Sequence, residues 1–311
     1  MKMRHLSLAA VVVVLGACGS TPAAPGVDAA GRDAGAVPSD AGGTVVDAGA
    51  TSTDAGMAPD GGGGCVYADL PTATSVGIPA GTPALTVLDG DTHTDHDGQI
   101  FDAVDFQARL YVDHRDVVIR RSRLVGDVYY AVYSSAGPLT VEDSEIMGGI
   151  LAPDGFTARR NYVHAQAGGE RDDGFIFAAS HVLIEDNRIE GLVGGMGAHV
   201  DGVQIMAGVD VVIRHNWIDA SSPPISGGGV NAAVFFAPDM GEIRDVVVEC
   251  NELIAHDAYY PLRIESNGTV VVRHNRWGRG HLGNPYLLSG ATVASVWEDN
   301  AYDDGEVIAG P

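Results

Sequence analysis

The chain has 311 residues and a formal charge of −23, with 42 glycines and three cysteines. The first 64 residues hold only three basic and six acidic side chains, so nearly all the negative charge belongs to residues 65–311. So acidic a surface excludes nucleic acid and anionic membrane surfaces as electrostatic partners.

Lys2 and Arg4 form a charged start. Leu6 to Leu15 is an apolar stretch of signal-peptide length, too short to span a bilayer. Leu15-Gly16-Ala17-Cys18 comes next and resembles the lipobox of bacterial lipoproteins. The resemblance implies that Cys18 becomes the acylated N-terminus; an ordinary secretory signal with a coincidental cysteine is the alternative. Both readings export the protein. Gly19 is not aspartate, which favours the outer membrane in a Gram-negative source.

Residues 19–64 are of low complexity. Asp-Ala-Gly recurs at Asp33, Asp40, Asp47 and Asp54, spaced by seven. There is no apolar seam, so this is not a coiled coil. Such a composition buries too little surface to offset chain entropy and reads as a flexible tether. Cys65 and Cys250 remain in the rest of the chain, and export leaves both a disulfide and two free thiols open.

Residues 65–311 are one domain's worth of chain with internal repeats. The segments VVIRRSRL, LTVEDSEI, FTARRNYV, VLIEDNRI, VVIRHNWI, VVVECNEL, VVVRHNRW and SVWEDNAY align. One column reads Ser122, Ser144, Asn161, Asn187, Asn216, Asn251, Asn275, Asn300. Apolar residues alternate around it, the period of strands. The spacing between repeats is too short for βαβ units.

A short strand, an Asn at a bend, a second strand and a return loop resemble one rung of the pectate-lyase-like superfamily. That resemblance implies an all-β fold, a right-handed, single-stranded parallel β-helix of eight or more rungs with a stacked Asn ladder. The expected reason for Asn is its tolerance of left-handed backbone, with the amide bonding the next rung. Two residues before each column position stands a charge of alternating sign: Arg120, Glu142, Arg159, Glu185, Arg214, Glu249, Arg273, Glu298. Neighbouring rungs then pair opposite charges, and this face reads as structural. His215 and His274 belong to it.

The return loops lead into a further set of strands, and the resemblance puts a sugar groove along them. In GAHVDGVQIMAG, Gly197 to Gly208, a strand is entered through what reads as a glycine turn crowded by His199, Asp201 and Gln204. Asp173-Gly174 aligns with Asp201-Gly202, Arg171 with His199, and Tyr260 with Asp201 two rungs on. Gln204 and Arg263 point outward on one face. The longest insertions, Gly191–Val200 and Ser221–Asn231, flank this patch. His199, Asp201, Tyr260 and Arg263 are the candidate catalytic residues, and Arg171, Gln204 and Tyr259 the candidate substrate contacts. Asp173 and Asp201 are candidate ligands for a cation such as Ca2+; no cofactor is otherwise implied. The alternative is that each aspartate only bonds loop backbone, and that Gln204 and Arg263 are merely solvated. DGDTHTDHDG, Asp89 to Gly98, lacks the spacing of a calcium loop and reads as a solvated turn.

Lysine is absent after Lys2, so a lyase here needs histidine, tyrosine or arginine as its base. An epimerase shares that proton abstraction. A hydrolase needs paired carboxylates, and Asp173 with Asp201 is one such pair. The motifs of polygalacturonases and alginate epimerases are not present. The expectation is a monomeric, surface-anchored, carbohydrate-active protein acting on an extended polysaccharide, a lyase ahead of a hydrolase. Its contact with the membrane runs through the lipid anchor alone. A glycan-binding or adhesive β-helix without catalysis is the competing class.

Overall fold

The computed structural model describes residues 65–311 apart from 166–172, 194–198, 222–228, 267 and 290–293. Cys18, the tether and Arg171 therefore lie outside the described residues. The fold is a parallel β-helix; the described residues form 25 strands and one 3-10 turn at Tyr67–Asp69. Every ladder between named strands is parallel; an isolated antiparallel bridge joins Ala301 to Val307. No helix among the described residues is long and apolar enough to cross a membrane.

Three strand runs define three faces. The ladder face stacks Ile100–Asp102, Val117–Arg120, Leu139–Glu142, Phe156–Arg159, Val182–Glu185, the end of His199–Arg214, Ile243–Glu249, Val270–Arg273 and Val296–Glu298. The charge register is the expected one: Arg120 faces Glu142, and Arg214 lies between Glu185 and Glu249. Asp102 extends the series by one rung, pairing Arg120 at 3.0 Å. Between these charges the side chains point inward; Ile119, Val141, Ile184, Ile213 and Val272 are fully buried. Burial of such apolar area is the main favourable term.

At the bend the Asn column closes a continuous chain of hydrogen bonds. The N–H of Asn161 donates to Asn187 Oδ1, that of Asn187 to Asn216 Oδ1 and that of Asn251 to Asn275 Oδ1, all within 2.9–3.0 Å. Ser122 and Ser144 continue the series with their hydroxyls, and Val104 ends it by donating to Ser122 Oγ. One expectation is corrected here. The left-handed residue is not the Asn but the one before it: Arg121, Asp143, Arg160, Asp186, His215, Cys250, His274 and Asp299 all have φ between +48° and +58°. The Asn keeps ordinary backbone geometry, and its role is to satisfy buried backbone groups that the corner strips of partners. His215 and His274 accordingly sit on the corner, bonded to Asp186 at 2.5 Å and beside Asp299 at 3.5 Å.

The face after the column, from Thr86–Leu88 and Val104–Phe106 to Ala301–Tyr302, is crossed by residues 65–83. Cys65 and Cys250 form a disulfide, Tyr67 donates to the His274 carbonyl, Arg188 to the Pro71 carbonyl, and the Gly77 N–H to the Arg160 carbonyl. A cavity of about 520 Å³ lies between this strap and Arg123, Glu145 and Tyr162. Its charged wall is already engaged: Arg123 and His164 both bond Glu145, and the His164 bond leads in holding that carboxyl down at about 2.

The third face is the groove face. It carries Thr92–His93, Leu110–Val112, the ends of Arg123–Ser134 and Glu145–Ala152, Phe175–Ala178, the start of His199–Arg214, Gly229–Phe236, Tyr260–Glu265 and Tyr286–Ser289.

Candidate functional site

The groove strands are in register through Phe175, Val203, Val234 and Leu262, all fully buried. One position outward of these, Ile176, Gln204, Phe235 and Arg263 form a single column. Three positions before Ile176, the same register aligns Asp173, Asp201, Ala232 and Tyr260. Both alignments are those read from the sequence.

The two aspartates serve the backbone. Asp173 Oδ1 accepts the N–H of Asp201, and Asp201 Oδ1 accepts the N–H of Ala232, both at 2.8 Å. Asp201 is fully buried and Asp173 nearly so. The pairing slips at Asn231, which sits as an extra residue between Val230 and Ala232. Asp201 Oδ2 and Asn231 Nδ2 close no hydrogen bond among the described residues. Burial pushes the Asp201 carboxyl up to about 7, against the opposing pull of the Ala232 N–H, the nearby Asn231 amide, which acts without closing a bond, and the Arg263 charge.

The supposed glycine turn is strand. Asp201-Gly202 lies inside His199–Arg214. A Cβ on Gly202 would stand 2.4 Å from Ile218 Cγ2 and 2.6 Å from the Ala233 carbonyl oxygen. Glycine is there because the backbone packs against its neighbours, not because it reverses direction. His199 opens this strand opposite Gly229; its side chain lies outside the described part, as do most of the two flanking insertions.

On the outer surface the site is concrete. The Arg263 guanidinium lies 4.5 Å from the centre of the Phe235 ring. Its Nε and Nη2 donate to Glu265 Oε1 at 3.1 and 2.6 Å. Tyr260 packs against Ala232, Phe235 and Ala237. Tyr259 is half exposed, its ring 6.2 Å from that of Tyr260. Gln204 is partly buried beside this cluster's column. Gln204, Tyr259, Tyr260 and Arg263 thus share one face, whereas Asp201 reaches it only through the field it shares with Arg263.

Phe235 and Glu265 belong to the site and were not singled out in the sequence. Both were readable: Phe235 is the outward partner between Gln204 and Arg263, and Glu265 stands two residues after Arg263, on the same face of the strand. Among the described residues no group of three or more His, Cys, Asp or Glu side chains is placed to hold a metal ion.

Fold and site define a parallel β-helix with a mixed aromatic and charged outer face. No protein-family model, curated protein or solved structure matches the chain.

Proposed function

We propose that this is an exported, lipid-anchored, carbohydrate-active β-helix protein that engages an extended, uronic-acid-containing glycan on its groove face. The observation that carries this reading is the outward column Gln204, Phe235, Arg263 on three successive rungs, with Tyr260 packed against Phe235. Polar and aromatic groups repeated at a rung spacing of about 4.8 Å, over a Phe235 ring buried beneath Arg263 and Tyr260, suit a polymer of sugars better than a compact ligand.

As a lyase, Arg263 is to neutralise the substrate carboxylate, which acidifies the adjacent C–H. His199 or Tyr260 takes that proton, the carbon–carbon double bond forms, and the glycosidic C–O bond breaks with its oxygen protonated. Gln204 bonds sugar hydroxyls. The hydrolase alternative has less support, because Asp173 and Asp201 each spend an oxygen on backbone N–H groups. A second reading, glycan binding without catalysis, is favoured by the Arg263–Glu265 pair, which a substrate carboxylate has to displace or bridge.

Incubation with acidic and neutral polysaccharides tests these readings. New absorbance from unsaturated uronides supports the lyase, reducing ends without it support a hydrolase, and retention with neither supports a binding protein. No retention and no products on any polymer would reject the reading.

A further inference from the structure

The column that carries Gln204, Phe235 and Arg263 continues toward the N-terminal rungs as a run of aromatic rings. His93 pairs with Tyr111 and Tyr111 with Tyr133, and the register carries on through two aliphatic rungs to Gln204. We propose that His93, Tyr111 and Tyr133 form a second glycan-binding platform for sugars remote from the Arg263 end. This rests on the reading of the groove face as a glycan site.

His93 and Tyr133 are exposed, and His93 and Tyr111 are held by hydrogen bonds. The His93 side chain is 61% exposed and Tyr133 is 40% exposed. His93 and Tyr111 stack with centroids 4.6 Å apart and planes 8° from parallel. Asp113 fixes His93 at 2.7 Å and is itself bonded by Ser135. Arg109 donates to the Tyr111 hydroxyl at 3.3 Å and to the Tyr130 carbonyl. Rings pinned in this way lose little freedom on binding.

Cross-strand aromatic pairing accounts for the His93–Tyr111 stack on its own. It does not account for Tyr133, whose ring is turned 50° from Tyr111 at 6.1 Å and leaves a face uncovered by it. That face suits the apolar side of a pyranose ring, while the Tyr111 and Tyr133 hydroxyls and the His93 edge offer hydrogen bonds to sugar hydroxyls. From His93 to Arg263 the column takes seven rung steps, about 34 Å at ordinary strand spacing. A disaccharide held at Arg263 does not reach the platform; a long chain does.

The full chain in mild detergent is titrated with polygalacturonate, alginate and xylan, and with their di- and decasaccharides. Tyr133→Ala is expected to weaken polymer and decasaccharide binding about tenfold and leave the disaccharide unchanged. Arg263→Ala should weaken all three. His93→Ala, on the terminal strand, should show the same length dependence and serves if Tyr133→Ala lowers the unfolding midpoint. Unchanged polymer affinity in folded Tyr133→Ala and His93→Ala overturns the platform alone. Absence of binding to every glycan overturns the functional reading and the platform with it.

Discussion

Asn216 Oδ1 accepts two bonds from Asn187, one from its backbone N–H at 2.9 Å and one from its amide at 3.0 Å. Asn216 in turn donates its own amide to the Ile184 and Arg214 carbonyls and to Asn251 Oδ1 on the next rung. One side chain therefore ties three rungs at a corner closed to water. Asn216→Ala strands these groups in a buried site, at about 1–3 kcal/mol for each left unsatisfied. The expected loss is about 3–5 kcal/mol in urea unfolding. Ser144→Ala, which removes a single hydroxyl, should cost less. Equal losses would show that the corner does not depend on the amide.

The charge ladder is a weaker device. Arg214 bonds Glu185 at 2.5 Å and lies in register with Glu249. Its side chain is more than a third exposed, so water screens it and each pair contributes about 0.2–1 kcal/mol. Arg214→Glu stacks three like charges and should lower the denaturation midpoint modestly at low salt, less at high salt. Adding Glu185→Arg and Glu249→Arg should restore most of the loss. An unchanged midpoint at low salt contradicts the register.

The anchor is tested by location. If the tetrapeptide ending at Cys18 is a lipobox, Cys18→Ala moves the protein from the membrane fraction to the soluble fraction or the medium. Retention in membranes by the variant would mean that acylation at this cysteine is not what holds it.

Repetition made the fold legible. Eight aligned segments fixed the strands, the bend and the charge register, because each rung repeats the same inward and outward demands. The ninth rung, Ile100–Asp102, was hidden because Val104 occupies the Asn position and serves only as a donor to Ser122. The site was half legible for the same reason. Outward positions such as Gln204 and Arg263 follow from strand period. The same period puts Phe235 and Glu265 on the face of Arg263, but the contacts they make with it are set by side-chain packing, which the period does not give. Asp-Gly was misread as a turn because the steric pressure at Gly202 comes from Ile218, 16 residues on and on the next strand, beyond the reach of a local turn pattern.

Asp201 sets a pH signature. Its carboxyl is raised to about 7 in the folded protein from 3.8. Between those values the native state holds the proton more tightly than the unfolded chain, so this group's contribution to stability falls as pH rises from about 4 to 7 and is flat beyond. Asp201→Asn keeps an oxygen for the Ala232 N–H and removes the ionisation. Its unfolding free energy relative to wild type should therefore improve as pH rises across the window. Urea midpoints at pH 4.5, 6 and 8 measure it; a difference independent of pH would place the carboxyl in an ordinary polar setting.

The functional residues separate from the structural ones by where they point. Arg263 covers Phe235 on the open face, whereas Arg273 pairs with Glu249 on the ladder face at 2.7 Å. If an activity is found, Arg263→Ala removes the charge meant for the substrate carboxylate, and His199→Ala removes an imidazole, a side chain suited to proton transfer near neutral pH. Both should lose turnover with the unfolding midpoint nearly intact. Arg273→Ala should do the reverse, costing some stability and no turnover. Tyr260→Phe distinguishes the two candidate bases: loss of turnover with His199→Ala still active assigns the proton to the tyrosine. A chelator that stops the reaction gives Asp173 and Asp201 a part in holding a cation. Wild-type rates in both Arg263→Ala and His199→Ala would move the chemistry off this face.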